Sequence, residues 1–390
     1  MSWILLLALL PLLAWIYLLA LHGGFWRAIP RLDAPAGSLD EPLPRVIAVV
    51  PARNEADVVG AALTSLAAQD YPGALEILLV DDHSEDETAT LARQAAVGAP
   101  RPLRVIQAGE RPPGWVGKLW ALQSGCQAVE TRPDYWWFTD ADIGHAPDTL
   151  TRLMAEAQSG RRALVSLMVR LSCATGWERL LIPAFVFFFQ KLYPFPWVVA
   201  DRRGTTAAAG GCMLLRADDF AAAGGLPALK GAVIDDCSLA AAVRPVARQA
   251  GRGLYLGLTL RSRSLRPYTG LGEIWRMVAR SAYTQLRYQP LLLLGTLLGM
   301  VLLYLAPPLL ALGGLLSGAW LLAALGGLAW LLMAISWVPT LRLYDVSPWR
   351  GLLLPVAGAL YTAMTFDSAR RHWQGKGAAW KGRVGAGKGS

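Results

Sequence analysis

The chain has 390 residues, 54% of them hydrophobic, yet its formal net charge is +9. That length allows two or three structural units with at least one sizeable core, and an apolar but basic composition points to an anionic surface, either phosphorylated ligands or the inner leaflet of a membrane. Cys126, Cys173, Cys212 and Cys237 show no CxxC spacing and the four histidines do not pair at metal-ligand spacing, which argues against a disulfide framework or a zinc centre.

The first predicted element is a transmembrane anchor within residues 1–24. Trp3 to Leu21 is nineteen residues without a charge, close to the ~20 needed to cross a bilayer. No basic stretch precedes it, which argues against a cleaved signal peptide. Arg27 and Arg31 follow it, so the positive-inside rule places the middle of the chain in the cytosol.

Residues 42–268 read differently. The runs RVIAVV, LEILLVDD, LRVIQA, YWWFTDAD and RALVSLMV are predicted strands, separated by helical patterns such as EADVVGAALTSLAAQ and GKLWALQSGCQAVE. Near-continuous apolar strands divided by helices predict a mostly parallel sheet covered on both faces, with ligands gathered beyond the carboxyl ends of its strands. Polar chemistry appears where that rule expects it. Pro51-Ala52-Arg53-Asn54-Glu55 follows the first strand, Asp81-Asp82 and HSEDET the second, and Asp140 and Asp142 the fourth. Ser84 and Asp86 are expected to cap a helix. Asp140 and Asp142 are hard oxygen donors one residue apart, suited to a hydrated Mg²⁺ or Mn²⁺ that takes one or two carboxylates plus substrate phosphates. Their side chains share a side only if the backbone bends between them.

Two stretches read as membrane-facing. ERLLIPAFVFFFQKLYPFPWVV (Glu178 to Val199) is aromatic and broken by prolines, and residues 269–290 carry an amphipathic pattern; together they are expected to collar an acceptor channel. Residues 291–366 form a C-terminal membrane region. From Tyr288 to Leu341 there is no charge, which predicts two spans divided at ALGGLLSGAW. Gly351 to Phe366 is short for a third crossing, and the 367–390 tail is basic. Three full crossings would put that tail outside, against the positive-inside rule, so the last segment is expected to be re-entrant or interfacial.

The motifs VVPARNEADVV, LLVDDHSEDET, GKLWALQSG, FTDADI, AGGCMLLR, IDDCSLA and QLRY, in that order over roughly residues 45 to 290, resemble the inverting family 2 glycosyltransferases. The membrane arrangement resembles the lipid-glycosylating subgroup, and most nearly the bacterial hopene-associated glycosyltransferases. The resemblance implies an α/β GT-A fold, a Rossmann-like nucleotide-diphospho-sugar transferase domain, with transmembrane helices on both sides. It implies a nucleotide pocket lined by Ala52, Arg53, Glu55 and Asp82, with Asp82 accepting from the base of a UDP donor. Lys118 would sit by the diphosphate and Asp140 and Asp142 would hold the metal. Asp236 would be the general base and Asp235, where the family pattern has Glu, its neighbour. Arg287 would contact acceptor or diphosphate, although QLRY departs from the family's usual pattern.

The expected partners are a nucleotide-sugar donor, a lipid acceptor for which the resemblance points to a hopanoid, and the bilayer, with no nucleic acid. The expected location is the bacterial inner membrane, multi-pass, with the catalytic domain cytosolic. The competing readings are a processive polysaccharide synthase, for which the spans look too few, and a catalytically silent scaffold of a lipid pathway.

Overall fold

The computed structural model describes residues 2–34, 37–232, 234–375, 379–380 and 383–384, so most of the basic tail lies outside the described residues. The helices are α1 (Ser2–Leu21), α2 (Val59–Ala67), α3 (Thr88–Ala96), α4 (Gly117–Gln127), α5 (Thr149–Ser159), α6 (Gly176–Leu192), α7 (Phe195–Val199), α8 (Ala217–Ala222), α9 (Asp235–Gln249), α10 (Leu271–Gln285), α11 (Pro290–Met300), α12 (Ala306–Leu316), α13 (Trp320–Leu343) and α14 (Leu354–Trp373). The strands are β1 (Val46–Ala52), β2 (Leu75–Asp81), β3 (Leu103–Gln107), β4 (Tyr135–Thr139), β5 (Ile143–His145), β6 (Arg162–Arg170), β7 (Cys212–Arg216) and β8 (Gly253–Ser264). Two compact units result. One combines residues 30–172 with 197–267; the other combines 1–29, 173–196 and 268–377.

The first unit is built on an eight-stranded sheet ordered β3-β2-β1-β4-β7-β6-β8-β5. β3, β2, β1 and β4 are parallel, as their continuous apolar runs predict. β7 runs antiparallel between β4 and β6, and β5 antiparallel at the edge beside β8. The sheet is therefore mixed, and β5, β7 and β8 are additions to the strands expected from sequence. β1 is buried along its whole length, and Trp137 of β4 is fully enclosed. α4 lies tight on this sheet because of one glycine: a Cβ on Gly125 would come within 2.6 Å of Val49 Cγ1.

The second unit is largely apolar helix. Residues 290–316, 320–343 and 348–373 are long and apolar enough to cross a membrane, and Ala8–Leu21 of α1 is a shorter apolar helix. α11 passes through a π-helical turn, Val301–Leu305, into α12. α12 and α13 form a close antiparallel pair, because Gly326 abuts the Ala311 backbone and Gly314 the Ala323 backbone, leaving no room for a side chain. α14 runs antiparallel to α11. Gly358 rests on Tyr304, Ala369 clusters with Leu293, and the His372 ring stacks on Tyr288 with centroids 4.3 Å apart. Before α14 the chain turns back along α13: Gly351 lies on the Ala334 carbonyl, and Trp330 Nε1 donates to Leu352 O at 3.2 Å. Residues 351–354 thus sit beside the middle of the long helices, and Trp373 returns to the end where α11 begins.

Candidate active site

The carboxyl ends of β1, β2 and β4 all lie on one edge of the parallel half-sheet, and their loops brace one another. Arg53, 4% exposed, donates to the carbonyls of Asp82 (2.6 Å) and His83 (2.7 Å) and to the Glu85 carboxylate (2.9 Å). Asn54 and His83 both adopt the left-handed region, φ 52° and 54°. The Asn54 N–H donates to Ser84 Oγ, and Asn54 Oδ1 accepts from the Glu85 N–H. Contrary to expectation neither Ser84 nor Asp86 is the N-cap of α3, a position held by Glu87 without a side-chain cap; Asp86 accepts from the backbone of Thr88 and of Ala56 and so ties the second loop to the first. Ala52 and Asp82 are buried between these loops, Asp82 completely. The cleft wall is therefore preorganised by main-chain hydrogen bonds.

The Asp140–Asp142 turn supplies the bend that the sequence requires. The Ile143 N–H donates to Asp140 O at 3.2 Å, and the chain reverses into β5. Lys118, the second residue of α4, places Nζ 2.7 Å from Asp140 Oδ1 and 3.6 Å from Asp235 Oδ2. Asp142 Oδ2 accepts from Ser264 Oγ at 3.4 Å. Arg266 forms an ion pair with Glu55 and lies close enough to Asp142 to act on its charge. Asp236 Oδ1 accepts from the Cys237 N–H (2.7 Å) and Oδ2 from the Gly210 N–H (2.9 Å). Gly210 lies close to both groups: a Cβ would be 3.3 Å from Lys118 Nζ and 3.5 Å from Asp236 Oδ2.

Five carboxylates, Glu55, Asp140, Asp142, Asp235 and Asp236, thus share Lys118 and Arg266 as neighbouring cations. Burial raises the Asp140 carboxyl above its ordinary range; Lys118 opposes the shift, and the Asp142 charge adds to it. Asp142 is raised by burial and then by Glu55. Burial lowers the Lys118 ammonium, but Asp140 and Asp235 outweigh it and hold the group protonated. Asp236 is pushed up to about 6, by burial first and by Asp235 second. This surplus of anionic oxygen fits a hard divalent cation, which Asp140 and Asp142 would hold. Among the described residues no three His, Cys, Asp or Glu side chains form a ready cage.

Nine of the ten residues singled out from sequence belong to this unit; Arg287 does not. It lies in the helical unit on the exposed turn after α10, with φ 52°, its N–H donating to Thr284 O. The motifs passed over Arg266, Ser264 and the Gly210 backbone, although Gly210 falls in AGGCMLLR; Arg266 follows β8, whose Arg- and Ser-bearing outer half hides the strand. They also passed over a buried support behind the turn. His145 is 5% exposed and sits 4.8 Å from the Trp137 ring. Thr139 Oγ1 donates to Gly211 O, so it accepts from His145 Nε2–H at 2.9 Å; Ser262 Oγ then donates to His145 Nδ1 at 2.8 Å. Burial lowers the His145 imidazole to about 3, so it is neutral.

This domain has the GT-A-like α/β fold. Residues 47–224, a little under half the chain, match the family described as Glycosyl transferase family 2. Among curated relatives, the β-monoglucosyldiacylglycerol synthase of a Synechocystis species is 34% identical over 128 residues, which is 33% of this chain and 25% of that protein. An N-acetylglucosaminyltransferase of Rhizobium leguminosarum bv. viciae is 33% identical over 121 residues, 30% of this chain and 27% of that one. The match therefore spans only about a quarter of the length of these two relatives. Among solved structures, the mannosyltransferase PcManGT from Pyrobaculum calidifontis, in complex with GDP-Man and Mn²⁺, aligns with a TM-score of 0.53 at 20% identity. That alignment covers 93% of this chain and 98% of the other and shows a shared fold.

Proposed function

We propose that the protein is a membrane-bound, inverting glycosyltransferase that moves a sugar from a nucleoside-diphosphate sugar to a lipid acceptor. The observation that carries this reading is the single constellation of the Asp140–Asp142 turn, Lys118 and the Asp235–Asp236 pair. Glu55, Arg53, Ala52 and Asp82 line the nucleotide end, and a carboxylate at Asp82 suits the imide N–H of uracil, which makes UDP the first donor to test. A divalent cation held at Asp140 and Asp142 would supply positive charge to the diphosphate. Lys118 adds a flexible point charge at the same place, which favours departure of the nucleoside diphosphate. Asp236, with its carboxyl poised near 6, accepts the proton of the acceptor hydroxyl as that oxygen bonds to the anomeric carbon. The bond from that carbon to the diphosphate breaks on the opposite side, so configuration inverts. A lipid acceptor is supported by the apolar helical unit and by the name of the Synechocystis relative; a hopanoid alcohol is one such acceptor. Arg287 is assigned to binding of the acceptor or diphosphate.

The test is calorimetric titration of the purified protein with UDP and with GDP, each with and without Mn²⁺, beside an Asp140→Ala/Asp142→Ala variant. Metal-supported binding of one nucleotide, lost in the variant, is expected. Folded protein that binds neither nucleotide would overturn the transferase reading and favour a silent scaffold.

A further inference from the structure

The helical unit carries a strip of arginines that sugar transfer does not use. α10 is amphipathic. Ile274, Val278, Ala279 and Tyr283 are buried along one face, while Arg276 and Arg280 stand one turn apart on the other. Arg276 reaches only Glu273, at 4.0 Å, with its side chain 67% exposed. Arg280 is exposed, and no carboxylate among the described residues pairs with it.

Three hydrogen bonds fix α10 to the end of α14. Trp275 Nε1 donates to Asp367 Oδ2 at 2.8 Å, the Tyr283 N–H to Ser368 Oγ at 3.0 Å, and Ser368 Oγ to Ala279 O at 2.6 Å. Asp367 also holds Arg370 at 2.6 Å and Arg371 at 2.7 Å. One carboxylate cannot neutralise two guanidiniums, and both arginines keep further N–H donors for other acceptors. The Trp275–Asp367 contact thus joins the turn that carries Arg276 to the turn that carries Arg370 and Arg371.

This junction lies where the apolar helices begin and end. α11 starts at Pro290, shortly after α10 ends at Gln285, and α14 ends at Trp373. Tyr283 packs edge-on against His372 and Trp373, with centroids 5.5 and 5.8 Å away. Tyr288 and Trp373 are exposed, as aromatic residues are at the level of lipid headgroups, and the neighbouring Leu291 is exposed as well. An ordinary solvated face intersperses acids among its bases. On α10, the turn after it and the last two turns of α14, Arg276, Arg280, Arg287, Arg370 and Arg371 stand against Glu273 and Asp367 alone. The guanidinium fork matches two oxygens of one phosphate, and an anionic leaflet supplies phosphates at this depth.

We propose that the exposed face of α10 and the last turns of α14 form a docking surface for anionic phospholipid headgroups. Arg276 and Arg280 bind phosphate, and Arg370 and Arg371 add positive charge beside them. The proposal rests on the membrane-bound part of the reading above and not on sugar transfer. Arg287 keeps its separate assignment.

The experiment is native mass spectrometry of the purified full chain in detergent, titrated separately with phosphatidylglycerol and phosphatidylcholine. The wild type is expected to retain phosphatidylglycerol in preference to phosphatidylcholine. Arg276→Gln/Arg280→Gln should lower that retention about tenfold or more, since each basic residue at an anionic surface contributes about fivefold. Arg276→Lys/Arg280→Lys keeps the charge and should retain most of the binding. Equal retention by wild type and the glutamine pair overturns the site, as does phosphatidylcholine held as well as phosphatidylglycerol. Should the glutamine pair not fold, the wild type decides. Retention unaltered by about 0.5 M salt removes the site, because exposed charges are screened there. A chain released by carbonate washing of its membranes would instead overturn membrane attachment itself, and this site with it.

Discussion

Lys118 Nζ lies 2.7 Å from Asp140 Oδ1 and 3.6 Å from Asp235 Oδ2, so one ammonium joins the end of β4 to the start of α9. In the proposed reaction these carboxylates have different tasks, metal binding at the first and support of the base at the second. Lys118 therefore competes with a cation for Asp140 while holding Asp235 in place. Replacing it should separate the two effects. Lys118→Met is expected to bind Mn²⁺ severalfold more tightly in the absence of nucleotide, because Asp140 loses its internal counter-ion. Turnover should nevertheless fall by about 10²-fold, the usual cost of removing one preorganised charge from a leaving-group site. Calorimetry and steady-state rates read the two quantities separately; weaker metal binding would remove the competition argument.

Asp236 gives a pH prediction. Its carboxyl is raised to about 6 by burial and by Asp235, and only the ionised form accepts a proton. The rate should be level above that pH and fall about tenfold per unit below it. Asp236→Asn should lose 10²- to 10⁴-fold in rate with nucleotide binding kept. Stability shifts the other way. The folded carboxyl titrates above its ordinary value near 4, so ionising it costs the native state stability as pH rises from about 4 to about 6. Asp236→Asn should therefore melt at a higher temperature than wild type at pH 8, and at the same temperature near pH 4. A variant with undiminished turnover would assign the base elsewhere.

Behind the turn, Thr139 and His145 clasp residues 140–144 from both sides. His145→Phe leaves the Ser262 hydroxyl without its acceptor and Thr139 without its donor, for a loss of about 1–3 kcal/mol. The folded imidazole is lowered to about 3 from an ordinary 6.5. The unfolded chain thus takes up the proton first as pH falls, and stability present above pH 6.5 is lost progressively toward pH 3. Melting temperature measured from pH 7 to pH 5 should fall more steeply in wild type than in His145→Phe. Equal slopes would mean that His145 is not held neutral.

The parallel half of the sheet was legible because β1, β2 and β4 are apolar runs that end in acids, and strand-end chemistry is local in sequence. The rest of the sheet was less so. CMLLR of β7 is five residues long, and nothing in it signals that it runs antiparallel between β4 and β6. β8 mixes Arg and Ser into its outer half, which hides its period. Thr139 falls inside a predicted strand and His145 in no motif, so neither stands out until Ser262, 117 positions beyond His145, lies beside the imidazole. Arg287 shows the converse: a motif can identify a residue without giving its place relative to residues in another unit.

The last apolar segment divides the topologies most sharply. Gly358 lies against Tyr304 and Ala369 beside Leu293, eleven residues apart on each helix, so α14 and α11 match residue for residue in opposite directions. On that register Leu354 stands level with about residue 308, well short of Leu316, where α12 ends. Gly351 sits on Ala334 rather than beyond Leu343. We predict that this chain, which turns back after α13, reaches mid-helix and leaves along α14, is re-entrant, with residue 374 on the face where α11 starts. Single cysteines placed by Gln289→Cys, Ser317→Cys and Gln374→Cys in a cysteine-free background test this with an impermeant maleimide on sealed, right-side-out vesicles. Residues 289 and 374 are expected to be protected together and residue 317 labelled. Labelling of 374 together with 317 would make α14 a full crossing and put the basic tail on the outer face, against the positive-inside rule.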